Sequence, residues 1–181
     1  MMEFALPMGL GRRVRLWVDD LENLPKIPGD VARRKDVIPA YGSTPGHRRV
    51  AAEMYTPFGG SFHYGLLGVE TSPGPLGSVT VVVPTQSAVP NTRYLDSLVG
   101  TLDDVIIGST PEYAEAVVAA VRGQSNSGLP SGRLEFTVMG HGMIGSAVTV
   151  FETLAKALIL LLMRSEQPKT ADEAAELLRA T

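Results

Sequence analysis

Basic or bulky and apolar positions alternate from Arg13 to Val18 (RVRLWV), the period of two that a half-buried strand requires. This predicts an edge or first strand. Between Glu22 and His47 the breakers Pro25, Pro28, Gly29, Pro39, Gly42, Pro45 and Gly46 recur too closely for a long element, so a connecting arm is expected there. Two extended stretches, Arg49 to Thr56 and Phe62 to Glu70, flank Gly59-Gly60 and read as a hairpin. A third strand is predicted over Ser78 to Val83, after the turn Ser72-Pro73-Gly74-Pro75.

The period changes in the second half. Ser109-Thr110-Pro111-Glu112 is a helix start: either Ser109 and Glu112 form a capping box, or Thr110 caps with Pro111 at the first helical position. Ala114, Val117, Val118 and Val121 then share one face, and Gly123 supplies the stop. Arg133 to Met139 alternates again as a strand. The glycine-rich link from Gly140 to Gly145 leads to a long helix from Ser146 to about Arg164, with Val148, Phe151, Leu154, Ala155, Leu158, Ile159 and Leu162 as its buried stripe. Thr170 with Glu173 opens a last helix carrying Ala174, Leu177 and Leu178. Strands followed by helix, strand, helix and helix imply an α+β fold, a two-layer α/β sandwich with helices on one face of the sheet.

Composition narrows the chemistry. The chain has 181 residues, 44% hydrophobic and 19% charged, so it can bury a core without covalent staples. The absence of cysteine excludes a disulfide scaffold, a thiolate metal site and a thiol nucleophile. No secretory leader is legible, and the apolar run Ala157 to Met163 is far shorter than the roughly 20 residues a membrane span needs, which predicts a cytoplasmic protein with no membrane partner. Net charge is −3, yet residues 1 to 60 are slightly basic, a distribution that argues only weakly for nucleic acid.

No Gly-Lys dipeptide occurs, which removes a P-loop, and neither His-Glu-x-x-His nor Gly-x-Ser-x-Gly is present. Of the three histidines, His47 lies in the arm and reads as solvated. His63 and His141 each sit in a glycine-bounded stretch, and two such turns at one end of a sheet would form a contact tip. Its candidate binding residues are Ser61, Phe62, His63 and Tyr64 with Gly140, His141, Gly142 and Met143. The plainer alternative is that the glycines only provide positive φ and the histidines are simply exposed. Asp19-Asp20 and Asp103-Asp104 are adjacent pairs that point apart on extended backbone, so no metal and no cofactor is expected.

Tyr41, Gly59-Gly60 with Tyr64-Gly65, Gly68-Val69-Glu70 with Pro73-Gly74-Pro75, and Val105 to Gly108 with Pro111-Glu112-Tyr113 and Ala116-Val117 occur in an order that resembles domain IV of elongation factor G. The likeness continues through Gly128-Leu129-Pro130, Leu134 to Val138, Ser146-Ala147-Val148 and Phe151 to Ala155, covering about residues 40 to 163. It implies a left-handed βαβ crossover, and with the strand and Pro/Gly-rich arm read over 1–47 it places the domain over 48–181. His141 falls where that family carries its tip histidine. The partners it implies are the ribosome and RNA. Acidic residues that follow the family's tip histidine are replaced here by Gly142, Met143, Ile144 and Gly145, and no GTPase motif is present, so GTP-driven translocation is not implied.

Gly140 to Ala147 also resembles the phosphate-binding loop of small-molecule kinases of the galactokinase, homoserine kinase and mevalonate kinase type, although their Pro-Gly-Lys opening is missing. Three functions therefore stand as expectations: a non-enzymatic ribosome- or RNA-associated module, a self-associating or protein-binding scaffold, and a phosphate-ligand enzyme.

Overall fold

The computed structural model describes residues 2–43, 46–88 and 92–179. Pro45 of the expected arm lies outside these residues, as does the side chain of Leu177. One mixed sheet organises the chain. Its strands are β1 (Met2–Pro7), β2 (Arg13–Val18), β3 (Arg33–Pro39), β4 (Arg49–Phe58), β5 (Ser61–Ser72), β6 (Ser78–Pro84), β7 (Val105–Ile107) and β8 (Gly132–Gly142). They lie in the order β1-β2-β4-β5-β8-β6-β3, with β7 paired to the C-terminal end of β8.

The hairpin read from the sequence is β4 and β5, in register from Arg49 opposite Glu70 to Phe58 opposite Ser61. Its turn places Gly59 and Gly60 at φ 50° and 88°, the left-handed region where an L side chain is disfavoured. β6 and β8 run parallel, so the chain between them must cross over, and that crossover carries β7 and helix α1 (Pro111–Gly123). Thr110 caps α1 by accepting from the Tyr113 N–H, which selects that start over a Ser109–Glu112 box.

Helices α1, α2 (Val148–Met163) and α3 (Ala171–Arg179) complete the chain. Their apolar faces join Leu67, Val69, Leu134 and Phe136 of the sheet in the larger core cluster. The opposite face holds a second cluster, in which Trp17, Ala51, Tyr64, Leu66 and Val138 pack under Leu21, Leu24, Val99 and Val105. No helix among the described residues is long and apolar enough to cross a membrane.

Four expectations change. Arg13–Val18, expected as an edge or first strand, is β2 and lies between β1 and β4. The 22–47 stretch contains β3, which pairs along its full length with β6. Only Ile38 of that strand is buried, so an edge strand shielded by Arg33, Arg34 and Lys35 leaves no apolar alternation to read. The long helix starts at Val148 rather than Ser146, because the Ser146 hydroxyl is engaged below α2, and Val148 is 39% exposed rather than part of the buried stripe. Finally, β8 runs on through His141 to Gly142, inside the expected glycine link.

Candidate functional site

The two glycine-bounded segments do meet at one end of the sheet. The Tyr64 N–H donates to the Gly145 carbonyl at 2.8 Å, and the Ser146 hydroxyl donates to the Tyr64 carbonyl at 2.7 Å. The turn after β8 is therefore fastened to β5. Its own N–H groups are all engaged: Gly142 donates to Ser146 Oγ, Met143 to the Asp104 carbonyl, and Ile144 and Gly145 to the Asp103 carboxylate. An acidic side chain thus fills the N–H cradle that the kinase-like reading reserved for a phosphate, and a second anion there would be repelled.

The glycines of this turn serve packing rather than positive φ. A Cβ at Gly140 would come within 3.2 Å of Val105, one at Gly142 would strike the Asp103 carboxylate, and one at Gly145 would strike the Phe62 ring. Gly59 and Gly60 are the pair that need the left-handed backbone.

Strand alternation divides the candidate residues between the two faces. Ser61 is exposed at the hairpin end, while Phe62 stacks on Tyr55 with ring centroids 5.6 Å apart. Tyr64 is fully buried and so cannot touch a partner. His63 lies on the helix face, stacked on Phe58 at 5.6 Å. His141 is also on the helix face, half-buried beside the Tyr113 ring. Its Nδ1 lies 3.3 Å from the Gly108 carbonyl, which assigns the proton to Nδ1, and burial lowers its pKa. His141 is thus packed against Tyr113 at the sheet end rather than extended from it. His47 is exposed, as expected of a loop.

What the turn presents outward is apolar. Met143, Ile144 and Leu102 are 67%, 79% and 57% exposed around a shallow cleft bounded by Gly100 to Asp104. Arg93, the cation beside it, is paired with Asp104 at 2.9 Å.

Sequence reading missed the group that organises the opposite face. Glu53, in β4, is completely buried. Its Oε1 accepts from the Tyr64 hydroxyl and from the Leu98 N–H, both at 2.8 Å. Among the described residues Oε2 has no hydrogen-bond partner; it lies 3.6 Å from Arg15, which itself bonds Asp96 at 3.0 Å. Burial raises the Glu53 pKa against the pull of these donors. An acidic residue inside the run Val50 to Met54 was the available signal, since a carboxylate amid apolar strand residues must find partners.

Among the described residues no group of three or more His, Cys, Asp and Glu side chains could hold a metal ion. No protein-family model matches the chain, and neither a curated protein nor a solved structure matches it.

Proposed function

We propose that the chain is a non-enzymatic, ribosome-associated binding module of the elongation factor G domain IV type, which makes contact through the sheet end bearing Leu102, Met143 and Ile144. The order of its elements, with a hairpin, a crossover carrying one helix, a strand, a tip turn and a long helix, supports the family part of this reading. One observation carries the contact: a turn whose four N–H groups are internally satisfied, and so held in place, nevertheless exposes two large apolar side chains. Fixed apolar exposure suits recognition, because little conformational freedom is lost on binding.

This surface favours a protein component as the element touched. Contact with RNA would need unpaired cations, whereas Asp103 and Asp104 flank the turn and Arg93 is already paired. Co-sedimentation with ribosomes across a salt series separates the two. Apolar contact predicts association that persists at high salt and is reduced at least tenfold in a Met143→Ser/Ile144→Ser variant. Association that falls steeply with salt and ignores that variant would move the contact to RNA phosphates. No association at low salt rejects the ribosome; light scattering then tests the scaffold alternative, which predicts a dimer that the same variant dissociates.

A further inference from the structure

A cleft distinct from the apolar tip lies on the helix face of the sheet, where the β1–β2 turn, the β4–β5 hairpin and the start of α2 converge. Its lining includes Arg12, Thr56, His63, Thr149 and Thr153, with Met54 and Val150 as its floor. Register explains the gathering. Thr56 is paired with His63 across β4 and β5, and Arg13 is paired with Tyr55, which sets Arg12 beside Thr56. Arg12, Thr56 and His63 thus form one row across three strands. Thr149 and Thr153, one helical turn apart on α2, face that row.

The chemistry of the row is one-sided. Arg12 has no carboxylate partner among the described residues, its Nε is buried with no hydrogen bond, and its Nη2 points at the Met54 sulfur, a weak acceptor. Nε is shielded by protein atoms, so a ligand in the cleft would meet the outer guanidinium nitrogens rather than Nε. Stacking on Phe58 holds the His63 ring. The Thr153 hydroxyl donates to the Thr149 carbonyl, while those of Thr56 and Thr149 have no partner among the described residues and are free to donate. Among the described residues no Asp or Glu lines the cleft. Its volume of about 230 Å³ lies below the roughly 300–1,000 Å³ of pockets that enclose drug-sized ligands, so a small anionic group fits better than a large ligand.

We propose that this cleft binds a phosphate group, free or as a small phosphomonoester, with the Arg12 guanidinium as its charge partner and Thr56, Thr149 and His63 as hydrogen-bond donors. Arginine matches phosphate geometry through its planar fork, and hydroxyl donors satisfy the remaining oxygens. The site goes beyond the tip reading and does not depend on it, because its ligand is small and its residues lie on the helix side.

Titration of the ¹⁵N-labelled protein with sodium phosphate, at ionic strength held constant with sodium chloride, tests this. The Arg12 Nε–H and Thr149 amide signals should shift saturably, with affinity falling at least tenfold in Arg12→Gln and severalfold in Thr149→Val. Lys35→Gln removes one positive charge on the exposed β3 strand and should leave the affinity unchanged. Glycerol 3-phosphate in place of phosphate distinguishes the sources: tighter binding assigns a phosphomonoester, equal binding free phosphate. Shifts that do not saturate, acetate binding as tight as phosphate, or unchanged affinity in Arg12→Gln would each overturn the site. If Arg12→Gln does not give a folded spectrum, Thr149→Val decides, and unchanged affinity there is the overturning result.

Discussion

Helices α1, α2 and α3 cover one face of the sheet almost wholly through apolar side chains, whereas the other face is covered by Leu21, Leu24 and the 92–104 segment, which is tied down by polar bonds at Glu53, Arg15 and Asp103. The helix side gains from area: Phe151, Leu154, Leu158 and Val117 are buried with no polar atom to satisfy. The segment side buries fewer large residues and depends on whether a few donors and acceptors remain paired. A face of the first kind yields as a whole, and one of the second kind can open locally.

The largest effect is therefore expected on the helix side. Phe151→Ala removes a fully buried ring that lies 4.5 Å from the Tyr113 ring, and should lower global stability by about 3–5 kcal/mol in urea unfolding. Glu53→Ala strands the Tyr64 hydroxyl and the Leu98 N–H, and should cost about 1–3 kcal/mol. Amide exchange should rise chiefly over residues 92–104 in Glu53→Ala and throughout the core in Phe151→Ala. Equal and global loss in both variants would show that the two faces unfold as one unit.

The same contrast explains what the sequence made legible. Where burial follows a single period, as in β8, α1 and α2, alternation or a 3.6-residue stripe was visible, whereas the β4–β5 hairpin, buried on both faces along much of its length, was marked by its Gly59-Gly60 turn instead. β3 was not visible, because an edge strand that buries only Ile38 carries its information in backbone pairing with β6. Half of the candidate site was legible. The glycines correctly located the meeting of the two segments, but their composition could not distinguish positive φ from close approach, and at Gly142 and Gly145 close approach is the reason. Nor could it show that Tyr64 and His141 point inward, since that depends on strands continuing through both segments. The Arg12–Thr56–His63 row joins residues far apart in the chain and exists only through register.

A smaller effect separates the faces by pH. Because burial raises the Glu53 pKa, the folded state holds that proton at pH values where the unfolded chain has released it. Between the ordinary carboxylate value and the raised one, the unfolded state thus binds fewer protons, and stability falls as pH rises. Asp36 runs the other way. Its hydrogen bond from Arg34 lowers its pKa, so its contribution is present above the unfolded value and is lost as pH falls through the lowered one. Glu53→Gln keeps an oxygen for Tyr64 and Leu98 but cannot titrate. It should flatten the decline in stability that sets in as pH rises above the ordinary carboxylate range and leave the acid limb in place. An unchanged profile would mean that Glu53 is not the titrating group.

The smallest effect is expected where the loop-covered side reaches the tip. Asp103 accepts the N–H groups of Ile144 and Gly145, yet it is only half-buried, so water can replace much of what its removal deletes. Asp103→Ala should lower global stability by only about 1 kcal/mol, near the net value of an ordinary hydrogen bond. Locally the change should be large. With no acceptor at 103, amide exchange at Ile144 and Gly145 should accelerate at least tenfold, while residues of α2 stay protected. The apolar turn would then keep its composition but lose its fixed conformation, and the ribosome association proposed for it should weaken in step with that exchange. Association unaffected by Asp103→Ala, yet lost in Met143→Ser/Ile144→Ser, would show that the side chains suffice and that the polar ties serve stability alone.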